Sequence, residues 1–500
     1  MTGGIEKQEG LMHGGAGDGW NKKCNGDGCV DGIVQISEGA AREFDDACVG
    51  ASGSDHTIEY ANSRAWKRCI LASTKGFVIG AGLRGGLALF AVLTRLKRKS
   101  QVRLKGGVLE KSNKQAIIAA LKETLRYGMF LGTYAGTFTT LDEAIAAIGG
   151  VQRTARWRSL AAGAIASPSL MLTGHDTRHT SMAIYILIRA AVLAARCGIK
   201  SKRLGWLCRP LEWKYGDVFL MCLSSSQILS AWILKPDSLP SSYISFLNKH
   251  GGKDKCIVEG IRKLAFREGS KFSVESIEQF YKSQGVQIQL DPAMKVPCTI
   301  IHGNEQCLMH FLVFLGQAYL RSLPVYLPVY LAPALVVHRQ GLFRRPLTIL
   351  AKTLIGTARS SLFLATYCAS AWIWSCIIFR TAGTCSPALL ATATFPTGLT
   401  LMIEKKSRQM EIALYCLSRA IESSAICIAD SGCLHQYDIH VPNRIDVVLF
   451  SFATAIIMHC YSQEREVFRS KYLNVLDWVF GVPNSTSEGI KAKSIHDREI

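Results

Sequence analysis

Charge is scarce in this chain. Only 19% of its residues are Asp, Glu, Lys or Arg, below the roughly 25% typical of soluble chains. Acids are scarcer than bases, 38 against 58, which leaves a net charge of +20. Familiar catalytic motifs are also missing. The chain has no Gly-rich phosphate loop, no Gly-x-Ser-x-Gly elbow and no His-Glu-x-x-His, arrangements that cradle phosphate, expose a nucleophile or hold a catalytic metal. No repeated acid/base or nucleophile set replaces them, so neither an enzyme nor a cofactor is expected. Residues 1–60 lack the apolar core of a signal peptide and carry too many acids for a typical transit peptide. The C-terminal Asp-Arg-Glu-Ile is not the peroxisomal tripeptide address. Any targeting is therefore expected to reside in internal membrane segments. The bases are not interleaved with aromatics as in single-strand binders, which argues against a nucleic-acid partner.

What the chain does have is apolar runs. Mean hydropathy is positive, and the charges are pushed into the connections between runs, the layout of a multi-pass membrane protein. Basic clusters such as Arg95-Leu-Lys-Arg-Lys99 and Arg339 to Arg345 flank the runs, where they hold loops on one side or meet anionic lipid. Most of the 17 cysteines lie inside apolar runs, Cys368, Cys376, Cys416 and Cys427 among them. There they act as small apolar residues rather than as a secreted disulfide framework. Cys24 and Cys29 form a lone pair, which reads as a loop.

One stretch occurs twice. Residues 177–190 and 407–420 share a small hydroxyl, Arg178 or Arg408, an Ala, Tyr185 or Tyr415, and an Arg-Ala pair at Arg189 or Arg419. Upstream, Arg126 with Phe130 and Tyr134 answers to Arg359 with Phe363 and Tyr367; downstream, Asp217 answers to Asp446. Three matches in one order, at an offset close to 230 residues, predict an internal repeat. The expected fold is all-α: a polytopic membrane helical bundle of two homologous units, four to five helices each. Its parts are a disordered tail (1–70), a first unit (71–235), a polar linker (236–300), a second unit (301–480) and a C-terminal tail (481–500). The linker is expected to carry one amphipathic helix, Ser273 to Tyr281. Basic loops after the first run of each unit favour four full spans per unit, with the Gly-interrupted first run interfacial or broken. Asp217 and Asp446 are expected to cap their own helices. Gly128, Gly132 and Gly136 form a small-residue stripe that serves either packing within a unit or a homo-oligomer contact.

These stretches resemble the transmembrane protein 135 family. The second unit, from Cys307 and Phe314 through Tyr326-Leu-Pro-Val-Tyr-Leu-Ala-Pro-Ala-Leu335 to Ile403-Glu-Lys-Lys-Ser-Arg408, is similar to the family's Cys-containing half. The first unit is similar to its other half, in Phe130-Leu-Gly, Ser159-Leu-Ala-Ala-Gly163, Ser181-Met-Ala-Ile-Tyr185 and Pro240-Ser-Ser-Tyr243. Animal members place the Cys-containing half first, whereas here it comes second. The resemblance extends to the mitochondrial inner-membrane preprotein translocase channel proteins, with their Gly-rich four-helix units. It implies a membrane protein of peroxisomes or mitochondria acting in fatty-acid handling and organelle organisation, a location and a process more than a mechanism; a transporter or channel-like role is expected from the duplicated units and the paired arginines. The alternative is a non-transporting scaffold that recruits organelle-dynamics proteins through the basic loops and the 236–300 linker.

The intramembrane arginines Arg126, Arg189, Arg359 and Arg419, with Arg84 and Arg321 as a further pair, are the candidate contacts to membrane lipids or fatty-acyl anions. A central Arg costs at least ~2.5 kcal/mol to insert, so it needs a partner or a wet cavity. Snorkelling to headgroups, or bonds to nearby carbonyls, compete with that reading near span ends. Tyr134, Tyr185, Tyr367 and Tyr415 read as structural. Cys298, His302, Cys307 and His310 offer zinc-type donors, but their spacing fits no standard knuckle, and no metal is assigned.

Overall fold

A computed structural model of the chain describes residues 54–102, 110–174, 179–201, 205–208, 213–267, 274–291, 293–336, 345–431 and 444–482. All regular structure among them is helical. Helices α1 (Ser54–Val102) and α2 (Glu110–Gly149) lead to α3 (Arg158–Ala166), which tightens into a 3-10 segment over Ser167–Thr173. Next come α4 (Thr180–Lys200), α5 (Gly216–Leu234) and four shorter helices: α6 (Ser241–Gly251), α7 (Lys255–Ala265), α8 (Val274–Ser283) and α9 (Cys298–His302). The same order then recurs: α10 (Cys307–Val336), α11 (Pro346–Ala382), α12 (Pro387–Thr394) with a 3-10 segment Phe395–Ile403, α13 (Lys406–Asp430), α14 (Ile445–Gln463) and α15 (Ser470–Phe480). Five of these, α4, α5, α11, α13 and α14, are long and apolar enough to cross a membrane. Arg178, Cys24 and Cys29 lie outside the described residues.

The breaks fall elsewhere than expected. Gly85 and Gly86 do not interrupt α1, although each glycine costs about 1 kcal/mol in a helix. Contact with α2 offsets that cost. The two backbones approach so closely that a Cβ at Gly80 would lie 2.2 Å from the Tyr127 carbonyl oxygen. The Gly128, Gly132 and Gly136 stripe faces Phe77 and Ser73 of α1, and the Ser73 hydroxyl donates to Gly132 O at 3.0 Å. The stripe is therefore used inside its own half. The true interruption comes at the third run of each half, where Pro168 and Pro396 remove a backbone donor and the helix passes into 3-10 geometry. Helix α1 also begins inside the stretch read as a tail, because residues 55–75 contain neither Gly nor Pro. The linker is more structured than expected. Val274–Ser283 is indeed helical with Ile277 and Tyr281 buried, but α6, α7 and α9 accompany it.

Packing exchanges the last helix of each half. Helix α5 packs on α13, α12 and the 3-10 segment 395–403, all later in the chain. Helix α14 packs back on α4 and α3. Accordingly, Ile228 and Trp232 of α5 share a core with Phe363, Trp372 and Phe379 of α11. Phe450 and Met458 of α14 share one with Phe130, Tyr134 and Phe138 of α2. The trailing helices follow: α6 reaches α10, and α15 reaches α1 and α2. Helices α5 and α14 each have 19 residues, α6 and α15 each have 11, and a three-residue 3-10 turn joins each pair.

Candidate functional site

The exchanged helices bring polar groups to the starts of the Tyr/Arg helices. Asp217 and Asp446 do not cap their own helices; the N-cap residues are Tyr215 and Arg444. Asp217 accepts from the Val218 backbone N–H of its own first turn at 3.0 Å, and each carboxylate also reaches the start of the Tyr/Arg helix in the other half. Asp217 accepts from Lys406 Nζ at 2.9 Å, and Asp446 from the His179 backbone N–H at 3.1 Å and Arg444 Nε at 3.0 Å. Both residues are buried, 3% and 1% exposed. An interior carboxylate must find such donors, and a helix N-terminus adds a favourable dipole.

A Tyr and an Arg four residues apart share one helix face. Arg189 lies over the Tyr185 ring at 5.2 Å, and Arg419 over the Tyr415 ring at 5.3 Å, a cation–π arrangement in both halves. Two acids that sequence reasoning missed complete these pairs. Glu411 of α13 pairs with Arg189 of α4 on one side and with Arg469, just before α15, at 3.0 Å on the other. Glu422 pairs with Arg419 at 3.1 Å and accepts from the Ser181 hydroxyl of α4 at 2.6 Å. The available signal was their presence inside an apolar span, where an ionisable residue needs a partner. The Tyr472 hydroxyl supports the first cluster by accepting from Arg189 at 2.9 Å. Tyr243 stands edge-on to Tyr415 at 6.4 Å in the second.

The other arginines do not join. Arg126 is half-buried on α2 and meets no carboxylate among the described residues. Arg359 is exposed and donates to the Ile403 carbonyl. Arg408 bonds the Tyr330 hydroxyl and Ser360 Oγ, 3.8 Å from the buried Glu404 carboxylate. Arg84 pairs with Glu123 across α1 and α2. Arg321 lies over the Phe314 ring at 5.0 Å with Nε and one terminal nitrogen buried and unbonded. Tyr367 donates to Ser225 Oγ at 3.0 Å, and the Tyr134 ring meets Phe450 at 6.0 Å, so both tyrosines join the exchanged helices to their hosts.

Three cavities meet at Glu411. The first, about 370 Å³, lies among α5, α6, α11 and α13; its walls are mainly apolar and include Met221, Trp232, Phe246, Phe363, Trp372 and Tyr415. The second, about 470 Å³, lies among α4, α13, α14 and α15, with Tyr185, Arg189, Leu414, Tyr472 and Leu476 in its lining. The third is a vestibule of about 910 Å³, where Lys214, Lys406, Arg408, Arg469, Asp217 and Glu411 stand among Trp213, Met410 and Phe468. Arg408 and Glu411 line both the vestibule and the first cavity. At that cavity's far end, burial and the nearby Lys249 and Arg321 charges hold His250 well below the usual imidazole value, at about 4. The first cavity has one cationic side chain in its lining, Arg408, beside Glu411, since His250 held near 4 is neutral at pH 7. It suits an apolar body carrying a negative group, within the size range of small-molecule sites.

The zinc-type donors divide. Cys298, His302 and Cys307 converge, but the fourth member is Cys376 of α11. His310 turns instead to Lys253 and Glu305. Compared with family models, curated proteins and solved structures, the chain matches none.

Proposed function

We propose that this multi-pass membrane protein binds and moves an amphipathic anion, a fatty-acyl carboxylate or an anionic lipid, between the basic vestibule and the apolar cavity. The observation that carries this reading is the shared wall: Arg408 and Glu411 border both spaces. The headgroup lies among the vestibule cations, while the chain occupies the cavity beside Trp372 and Phe363. Glu411 holds Arg189 and Arg469 across the α4–α13–α15 junction, so it couples the two halves at the point of entry. The proposal includes a duplicated origin for the two halves, supported by the recurring element order and the reciprocal exchange of α5 and α14. Membership of the transmembrane protein 135 family, and with it a peroxisomal or mitochondrial membrane and a part in organelle organisation, belongs to the same proposal. The scaffold reading has less to draw on, since α7 and α8 turn Ile257, Ile261 and Ile277 inward.

Photoactivatable fatty acid added to purified protein in liposomes tests the reading. Labelling is expected on α6, α11 and α13, to be competed by unlabelled oleate, and to be lost in Ala371→Trp, which fills the cavity. Label spread evenly over lipid-facing helices and unchanged by Ala371→Trp would refute it. A tagged copy found away from peroxisomal and mitochondrial markers would remove the organellar part.

A further inference from the structure

We infer that Cys298, His302, Cys307 and Cys376 form a structural zinc site, a centre independent of the cavity reading. Their three sulfurs and the imidazole nitrogen all lie within 4.8 Å of one another. In tetrahedral zinc, with Zn–S near 2.3 Å and Zn–N near 2.0 Å, neighbouring ligand atoms stand roughly 3.5–3.8 Å apart. Closing the set around an ion therefore takes shifts of about 1 Å or less. One edge is already contracted, with His302 Nε2 at 3.1 Å from Cys307 Sγ. Cys298, His302 and Cys376 are buried, and burial disfavours bare thiolates, so the charge of a metal ion is what would hold these sulfurs deprotonated.

The local chain is shaped for this grouping. Cys298 and His302 stand one turn apart on α9, on one face. Gly303 then takes a φ of +63°, in the left-handed region that glycine enters without strain, and the chain reverses so that Cys307, first residue of α10, comes beneath His302. Cys376 arrives from α11, far along the sequence. Arg380 follows Cys376 by one turn of α11, and its positive charge acts on the Cys298 sulfur. Three thiolates, one neutral imidazole and Zn²⁺ carry a net charge of −1, and that guanidinium offsets it. Four protein ligands leave no open position, so the site is a closed, structural one. It fastens the end of the connecting segment to α11, next to Ser375 and Trp372 in the cavity wall.

The test is metal analysis of the full chain purified in detergent under reducing conditions. About one zinc per chain is expected, falling to background in the double variant Cys298→Ser/Cys376→Ser and unchanged in His310→Ala and Cys385→Ser. Should the double variant fail to fold, cobalt exchanged into the native protein supplies the answer: thiolate-to-cobalt charge-transfer bands with tetrahedral d–d absorption are expected. A native chain that takes up neither metal overturns the inference. So does one that holds Cys298 and Cys376 as a disulfide, or that carries an iron–sulfur chromophore instead.

Discussion

Gly398 is the position at which the exchange of helices can be tested most directly. It lies in the 3-10 segment after α12, against the exchanged helix α5. A Cβ there would stand 2.3 Å from the Cys222 backbone nitrogen, 2.4 Å from its Cα and 2.6 Å from the Met221 carbonyl carbon. All three are main-chain atoms of a helix, so none can rotate away. Restoring ordinary contact requires the two segments to separate by about 1 Å along a packed interface. Overpacking of this kind costs about 1–3 kcal/mol, and here it falls at the upper end because backbone meets backbone. The corresponding lowering of Tm, at roughly 2 °C per kcal/mol for a large domain, is on the order of 4–6 °C. Gly163, which faces the other exchanged helix, has its nearest neighbour, Thr454 O, at 3.0 Å, so Gly163→Ala is expected to cost less. A Cβ added at Gly82 would meet nothing within 4 Å, so Gly82→Ala is expected to gain up to about 1 kcal/mol from helix propensity. Thermal unfolding of the three variants in detergent, followed by tryptophan fluorescence, gives the order. If Gly398→Ala melts at or above the native protein, α5 does not lie against this segment, and the exchanged packing must be abandoned.

Two further outcomes follow from buried charge. Glu404, 1% exposed, accepts from Ser360 Oγ at 2.6 Å and from the Lys405 backbone N–H at 3.0 Å, and it neighbours Arg408. Glu404→Ala is expected to destabilise by about 3–5 kcal/mol, since it strands these donors, with Glu404→Gln milder; equal melting of the two variants would contradict this. His250, held at about 4 by burial and by Lys249 and Arg321, is bound to its proton more weakly in the folded state than in the unfolded state. Its contribution to stability is therefore complete above pH ~6.5 and is lost as pH falls towards 4. Unfolding measured across that window should show a smaller acid loss in His250→Leu than in the native chain.

Much of this molecule was determined locally. Helical periodicity and the Tyr-to-Arg step of four residues dictate helices and the stacking of Arg189 on Tyr185 and Arg419 on Tyr415, because those contacts depend only on helix geometry. The prolines at 168 and 396 coincide with the passage to 3-10 geometry, whereas Pro324, Pro328 and Pro333 stay inside α10, so a missing donor does not by itself fix where a helix breaks. What tertiary structure alone decided is which face meets which. An apolar stripe states that it must be buried but carries no address, so the exchange of α5 and α14 could not be read from either helix. For the same reason Asp217 and Asp446, placed at helix starts as expected, serve the opposite half, and Glu411 gained its two arginines only when α4, α13 and α15 came together. The fourth donor beside His302 is Cys376 rather than the nearby His310, because spatial proximity here is set by the packing of α10 on α11 and not by distance along the chain.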